Sequence, residues 1–484
     1  MADSAVSSPM PSKPAALETP LPGARLALVL LLSINLFNYI DRQVLAAVEL
    51  PIEKTFFPEQ EPSSEPNGVE EPQDGVVSAI VKFLSSALGL EGKRAYAKAM
   101  MGLLATAFMF SYMITAPLFG WLAERTSRWL LIGVGVILWS LASGASRLAP
   151  TFAVLLLTRC LVGVGEGAYG PAAPTVISDL YPARVRSTML GWFYMAIPVG
   201  SALGYLLGGQ VLTWIRDWRW AFYLVVVPGI LLGIWSMFMR DPRRGRTDAV
   251  PETSRRRGRL KDYWTFLRTP SYVLNTVGMT AMTFAAGGLA FWMPRYVFQD
   301  RGLYKDLGEE AGLGRVNLIF GVMVVTPGLV ATLLGGILGD WLRPRIRGAY
   351  FVISGISMLL AFPMILLVLW TPFAPFPWAW IFVFLSVFCL YFNTGPTNTI
   401  LANVTHPAVR ASAFAINIFI IHALGDAVSP LIIGLIAGHS SLHNGFVAVS
   451  ATVLVGGLAW LCGARYLDRD TALAPTRLGD NAAI

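Results

Sequence analysis

Asn38-Tyr39-Ile40-Asp41-Arg42 lies inside an apolar run from about Ala24 to Leu50, and Arg159 and Glu166 lie inside a second run, from about Thr151 to Ile177. A charged side chain at bilayer depth costs about 2.5–3.5 kcal/mol even on insertion scales, so such residues are held by a water-filled cavity or by each other. Four of them in two helices point to a polar passage through a membrane. Transport is therefore the first function to consider.

Composition agrees. Of 484 residues, 55% are hydrophobic and only 14% charged, against about 25% charged in a soluble domain; the mean hydropathy is +0.58. The length suits about a dozen spans of ~20 residues plus loops. The expected fold is an all-α polytopic membrane protein. The net charge of +8 does not imply nucleic acid, because the basic residues cluster in short loops between apolar runs. Cys160, Cys389 and Cys462 all fall in apolar runs without a C-x-x-C pair and read as packing thiols. No cofactor motif or metal-ligand spacing is present. Residues 1–23 are Pro/Ser/Ala-rich, lack the apolar core of a signal peptide and read as a disordered tail.

Twelve spans are expected, beginning near Ala24, Ala99, Leu130, Thr151, Ser187, Ala221, Ser271, Val316, Gly348, Trp378, Ala411 and Gly445. The segment 240–269 holds ten Lys/Arg, whereas the loops at 371–377 and 439–444 hold none. The positive-inside rule then puts the even-numbered connections and both termini in the cytoplasm. Gly120-Trp-Leu-Ala-Glu124-Arg125 is echoed by Gly336-Ile-Leu-Gly-Asp340-Trp341, an offset of about half the membrane region. Two parallel six-helix bundles with a site between them follow, spanning 24–240 and 270–466. Residues 241–269 form a basic cytoplasmic linker and 467–484 a cytoplasmic tail. The linker either touches anionic lipid or is a solvated tether. An outer insertion, 51–98, contains an amphipathic stretch through Val76, Ile80, Phe83 and Leu84, read as an interfacial helix or as a cap on the first bundle.

Glu124, Arg125 and Arg128 share one tight cytoplasmic turn. An acid there pairs with a base or caps a neighbouring helix N-terminus, and so latches that side shut in one state. The stretch Gly120-x-Leu122-Ala123-Glu124-Arg125-x-Ser127-Arg128 resembles the loop signature of the major facilitator superfamily, with Glu124 where Asp is usual and Ser127 where Gly is usual. The weaker copy at Asp340, and Asp217-Trp-Arg-Trp220-Ala-Phe222, extend the resemblance. Finer strings resemble the Spinster-type branch: Asn38-Tyr-Ile-Asp-Arg42, Gly163-Val-Gly-Glu166-Gly-Ala-Tyr169, Ala173-Pro-Thr-Val-Ile-Ser-Asp-Leu-Tyr181, Phe193-Tyr194 through Tyr205, and His422-Ala-Leu-Gly-Asp426-Ala-Val-Ser-Pro430. The resemblance implies export of lysophospholipids or sphingosine-phosphate-like lipids, with protons as the coupling ion. The long 51–98 insertion departs from the usual short connection. The expected location is a bacterial inner membrane, with the chain acting as a monomer among membrane lipids.

The residues carry this reading on their own terms. Arg159 and Glu166 are seven apart and share a helix face. Asp41 and Arg42 are adjacent, about 100° apart around the helix, and so serve different partners. A poorly solvated carboxylate holds a proton and a nearby arginine releases it, which assigns proton coupling to Asp41 and Glu166. A guanidinium fork grips an anionic headgroup, which assigns substrate to Arg42 and Arg159, with Asn38, Tyr194 and Asn393 beside them. A static ion pair is the alternative for Arg159 and Asp41. His422 and Asp426, four apart, either line the cavity from the second half or form a packing pair.

Two motifs are set aside. Gly165-Glu-Gly-Ala-Tyr-Gly170 fits G-x-G-x-x-G but has no strand before it. The sequon Asn403-Val-Thr405 falls near a cytoplasmic loop. No nucleophile, base and orienter share a face, so an enzyme is not expected, and no large soluble domain favours a receptor. The leading expectation is a proton-driven carrier of an amphipathic anionic lipid by alternating access. The alternative is a symporter of a small organic anion such as a sugar acid. The runs Ala281–Leu289 and Phe414–Ile421, nearly free of polar residues, favour lipid.

Overall fold

The structure, a computed structural model, describes residues 19–57, 93–215, 217–248, 259, 262–307, 309–374 and 378–478. Its helical spans are α1 (Ala24–Ala47), α2 (Lys93–Ala123), α3 (Arg128–Arg147), α4 (Phe152–Tyr169 and Ala172–Leu180), α5 (Arg186–Tyr194 and Ala196–Trp214) and α6 (Val226–Met237). The second half holds α7 (Pro270–Arg295), α8 (Glu309–Leu342), α9 (Ala349–Trp370), α10 (Trp378–Tyr391 and Thr394–Val404), α11 (Arg410–Ile421 and Ser429–His439) and α12 (Leu442–Leu473). Among the described residues, eleven stretches are long and apolar enough to cross a membrane; α2 supplies a shorter one, Ala107–Ala123. The fold is thus an all-α polytopic membrane fold. A short helix, Glu49–Phe56, follows α1. The amphipathic stretch through Val76 and Leu84, and Arg255, Arg256 and Arg257 of the linker, lie outside the described residues.

Each half buries its own core. Leu30, Trp129, Trp139, Val176 and Phe193 pack together in the first, and Tyr272, Phe351, Met358, Phe414 and Trp460 in the second. Large apolar side chains such as Phe110, Ile114 and Leu118, one turn apart on α2, face outward, as they must where the solvent is lipid. The glycine face of α5 is where α1 lies: a Cβ on Gly204 would stand 2.7 Å from both the Ile40 carbonyl and the Gln43 side chain. Small residues let the two backbones approach this closely.

Four spans break at mid-depth. α4 breaks at Gly170-Pro171, α5 at Met195, α10 at Phe392-Asn393 and α11 at the π-turn His422–Asp426, where Gly425 leaves helical geometry. Pro171, Pro198, Pro396 and Pro430 each sit at the cap or in the first turn of the second piece. Proline lacks an N–H and clashes with the preceding turn, which places each break. Backbone freed in this way is tolerated at membrane depth only where protein or a water-filled cavity satisfies it.

Candidate functional site

The breaks surround a cavity between the halves that encloses about 1400 Å³ of space open to solvent. Asn35, Asn38, Tyr39 and Arg42 of α1, Tyr112 of α2, Glu166 and Tyr169 of α4 and Tyr194 of α5 line it from the first half. Met279 and Thr283 of α7, Tyr391, Thr394 and Asn398 of α10 and Asn417, His422 and Asp426 of α11 line it from the second.

Arg42 is the central cation. Its Nε and Nη2 both donate to Glu166 Oε2, at 2.8 and 2.5 Å. The guanidinium also lies about 5 Å from the ring centres of Tyr39 (5.0 Å), Phe108 (4.9 Å) and Tyr112 (5.2 Å), a cation–π arrangement that shields it from lipid. Across the cavity His422 Nδ1 is 3.0 Å from both Asp426 oxygens. The His422 ring meets Tyr112 edge-on at 5.9 Å. Tyr194 donates to Asn398 Oδ1 at 2.9 Å, joining the halves at the same depth.

Asp41 and Arg159 lie elsewhere. Both are buried behind the lining, on the α3 side, where Ser143 donates to Asp41 Oδ1 and Arg159 Nη2 donates to Ser146 Oγ at 2.7 Å. Arg159 Nη1 stands 3.8 Å from Asp41 Oδ2, and Arg159 also covers the Phe222 ring. The two charge pairs therefore divide as the helix geometry of α1 requires: Arg42 with Glu166, Asp41 with Arg159. Arg159 is not brought to the cavity wall. Neither is Asn393, which is fully buried and donates to its own helix at the Leu390 carbonyl, 2.8 Å away. Asn398, one turn further on, takes the lining position, and the α10 break sets that rotation. Tyr39, Tyr112 and Asn398 were not among the residues expected from sequence. The aromatic residue before Asp41-Arg42 was the available signal for Tyr39.

A second, smaller pocket adjoins the cavity within the second half. Ala286, Ala290 and Tyr391 belong to both walls. The rest of its lining, including Leu289, Met293, Phe320, Val324 and Ile365, is apolar apart from Ser386.

The end of the molecule that carries the linker is sealed. Glu124 Oε1 accepts from the backbone N–H of Ser412 at 3.0 Å, capping α11 of the opposite half. Asp340 does the same for α5, accepting from Thr188 N at 2.7 Å and Ser187 N at 3.3 Å. Acids at helix N-termini satisfy free N–H groups and meet the positive end of the dipole. Arg125 lies 3.6 Å from Glu124. Arg128 instead holds Asp179 at 2.5 Å and Asp241 at 2.8 Å. Arg410 of α11 reaches back to Asp179 at 3.0 Å and to Asp248 at 2.6 Å, and Asp248 also holds Arg186 of α5 at 2.9 Å. Asn403, the residue of the sequon, accepts from Arg186. Burial raises the Glu124 carboxyl to about 7 despite its hydrogen bonds. Burial opposes ionisation of Asp248 too, but Arg186 and Arg410 together hold its carboxyl well below the usual range.

The first residues of the linker are part of this seal. Arg244 donates to the Ala123 and Thr126 carbonyls at 2.6 and 2.9 Å, Gly245 N to Asp179 at 2.9 Å and Thr247 Oγ to the Ser178 carbonyl at 2.8 Å. Gly245 has φ +67°, a backbone conformation that costs other residues energy. Among the described residues no group of three or more His, Cys, Asp or Glu is placed to hold a metal ion.

Comparison with known proteins agrees with this geometry. Residues 73–430 match the profile of the Major Facilitator Superfamily. Protein spinster homolog 3 of Danio rerio is 32% identical over 468 residues, covering 93% of this chain and 86% of that protein. Sphingosine-1-phosphate transporter SPNS2 of Xenopus tropicalis is 31% identical over 393 residues, covering 77% of this chain and 76% of that protein. Among solved structures, a bacterial homolog of the human lysosomal transporter Spinster, inward-facing and unoccupied, superposes with a TM-score of 0.61 at 20% identity, covering 93% of this chain and 98% of that one. The chain belongs to the major facilitator superfamily and, within it, to the Spinster family.

Proposed function

We propose that this Spinster-family protein is a secondary active transporter that carries an amphipathic anionic lipid, lysophospholipid or sphingosine-phosphate-like, by alternating access coupled to protons. The observation that carries the reading is the junction of two unlike spaces. A charged, tyrosine-lined cavity between the halves adjoins an apolar pocket, and Ala286, Ala290 and Tyr391 belong to both walls. A headgroup and an acyl chain need that pairing, because burying a charge requires polar partners and burying a chain requires their absence. The similarity to a sphingosine-1-phosphate transporter supports the same substrate class.

Each residue then has a task. Arg42 grips the anionic group by its guanidinium fork, with Asn38 and Tyr194 beside it. Glu166 takes a proton when the substrate's anion displaces it from Arg42. Asp41 takes a second in the cluster behind. Arg159 is a positioning residue that orients Asp41. Glu124, Arg125, Arg128 and Asp340 form the gate at the linker end, which faces the cytoplasm together with both termini. On that orientation the contacts of Glu124 with Ser412 and of Asp340 with Thr188 close the cytoplasmic side. The location proposed is a bacterial inner membrane, and the unit a monomer.

The amides of Asn35, Asn38, Asn398 and Asn417 around the cavity favour one alternative, a proton-coupled symporter of a small organic anion such as a sugar acid. Purified protein in liposomes, offered a panel of lysolipids and sugar acids with and without a pH gradient, separates the two. Lysolipid flux stimulated by the gradient is expected, with Asp41→Asn and Glu166→Gln losing the stimulation. Sugar-acid flux without lysolipid flux would overturn the lipid reading.

A further inference from the structure

The seal at the linker end buries three guanidiniums, those of Arg128, Arg186 and Arg410. Three carboxylates answer them. Two, Asp241 and Asp248, come from the linker; only Asp179 belongs to a bundle. Residues 241–248 read Asp-Pro-Arg-Arg-Gly-Arg-Thr-Asp, with Pro242 as the one apolar side chain. Polar contacts hold them in place, and such contacts exchange with those of dissolved ions. With the segment displaced, three guanidiniums stand against the carboxylate of Asp179, a surplus of two positive charges. Arg186 and Arg410 are the first residues of α5 and α11, so the positive ends of two helices lie at the same place.

The linker serves these groups incompletely. Asp248 reaches Arg186 and Arg410 through the Nη2 of each, at 2.9 and 2.6 Å. The Nε–H beside each Nη2 is buried, and among the described residues neither has a hydrogen-bond partner. Nε and Nη2 together form the side-on edge of a guanidinium, the edge that takes a phosphate by two parallel bonds. A carboxylate has one oxygen for each arginine; a phosphate has three or more and fills both edges.

We infer that Arg186 and Arg410 form a binding site for a phosphate dianion, free or as a monoester, which enters from the cytoplasmic side, displaces residues 241–248 and holds the linker end shut in their place. Asp248 is then a tethered occupant of a phosphate site. The two arginines hold its carboxyl well below the usual range, a sign of how strongly the position favours negative charge. Because Arg186 belongs to the first half and Arg410 to the second, the ligand bridges them only when that end is closed. A ligand bound to one state alone draws the protein into it, so phosphate here slows transport. The inference rests on the gate reading above and not on which substrate is carried.

The test uses the full chain in nanodiscs with two pairs of spin labels, Arg184 with Arg347 across the halves and Arg184 with Arg246 on the linker. Inorganic phosphate and glycerol phosphate are titrated at pH 8, where both are dianions, against acetate and chloride at equal ionic strength. Phosphate is expected to lengthen the linker distance while the distance across the halves stays short, at a concentration at least tenfold below that of acetate. In Asp248→Asn, phosphate should close the opened end, and at least tenfold less should suffice, because no tethered carboxylate competes. Arg410→Lys keeps the charge but loses the side-on edge, and its affinity for radiolabelled phosphate should fall more than tenfold. A phosphate effect no larger than that of chloride, or linker release that also opens the halves, overturns the inference. An Asp248→Asn variant that never opens the end, yet binds radiolabelled phosphate through Arg410, sinks the gate reading and keeps the site. Nanodiscs containing phosphatidic acid, compared with phosphatidylglycerol, identify the source. Closure by phosphatidic acid makes the ligand a lipid, closure by the soluble phosphates alone makes it a dissolved one, and closure by neither overturns the site.

Discussion

Glu124 of α2 and Ser412 of α11 meet at 3.0 Å, carboxylate to backbone N–H, across the boundary between the two halves. Asp340 and Thr188 repeat the contact in mirror sense at 2.7 Å. Each half thus caps a helix of the other, and separating the halves at this end uncovers two helix N-termini at once.

The Glu124 contact has a pH sign. Burial first, against hydrogen bonds from Ser412 and Tyr263 and the charge of Arg125, raises its carboxyl to about 7. Opened to water it returns toward its ordinary value of about 4.3. The closed end therefore binds the proton more tightly than the open end. Its stabilisation is full below about pH 4.3 and is lost as pH rises through about 7. Spin-label distances between Arg184 and Arg347, on loops of the two halves, should lengthen between pH 6 and 8 in the wild type. In Glu124→Gln they should stay short and flat with pH. An unchanged step in the variant would assign the titration to another group.

Asp248 is shared by two buried guanidiniums, Arg186 of α5 and Arg410 of α11. Asp248→Asn leaves both short of a counter-charge, although Asp179 still serves Arg410. A buried pair broken on one side costs up to 3–5 kcal/mol; with these remaining partners about 1–3 kcal/mol is expected. That corresponds to a shift of about 5- to 150-fold toward an open linker end, read by the same label pair, with the melting temperature little changed.

Arg42 and Arg159 should separate cleanly. Arg42→Ala removes the guanidinium that faces the cavity, and lipid affinity should fall more than tenfold. Arg159→Ala strands the buried Asp41, so the cost of about 3 kcal/mol falls on stability. Thermal melting should drop while lipid affinity stays within about threefold. Equal losses of affinity in both variants would return Arg159 to the substrate.

Gly336 of α8 touches α5 so closely that a Cβ would stand 2.7 Å from the Ser187 carbonyl. Backbone cannot yield there as a side chain would. Gly336→Val should hold the linker end open and abolish turnover, whereas binding measured from the cavity side persists. Accessibility of a cysteine placed in the lock to a linker-side thiol reagent reads the outcome.

Much of the fold was legible because charges in apolar runs are costly and stand out. The Asp41-Arg42 string, Glu166 and the duplicated Gly120 and Gly336 loops announced a two-fold bundle with a polar seam. The pairing was not legible. Which of Arg42 and Arg159 faces the cavity depends on how the helices lie against one another, α3 against α4 at Gly135 and Gly165 and α1 against α5 at Gly204. Asn393 and Asn398 differ only by the break at Phe392, which turns one inward to its own helix and the other to the cavity. Asp179, Arg186 and Arg410 stand near helix ends and Asp241 and Asp248 in the linker, where a charge is unremarkable in sequence. Only their convergence marks them as one lock.

The grip of that lock on residues 241–248 bears on modularity. The halves are not two cartridges on a string. The connecting strand occupies sites on α2, α3, α4, α5 and α11 in a fixed register, with Gly245 at its one left-handed turn. A linker transplanted from a relative, equal in length and charge but different in register, would leave both bundles folded and still retune the balance between inward and outward states. Chimeras of this family should therefore be cut after Asp248.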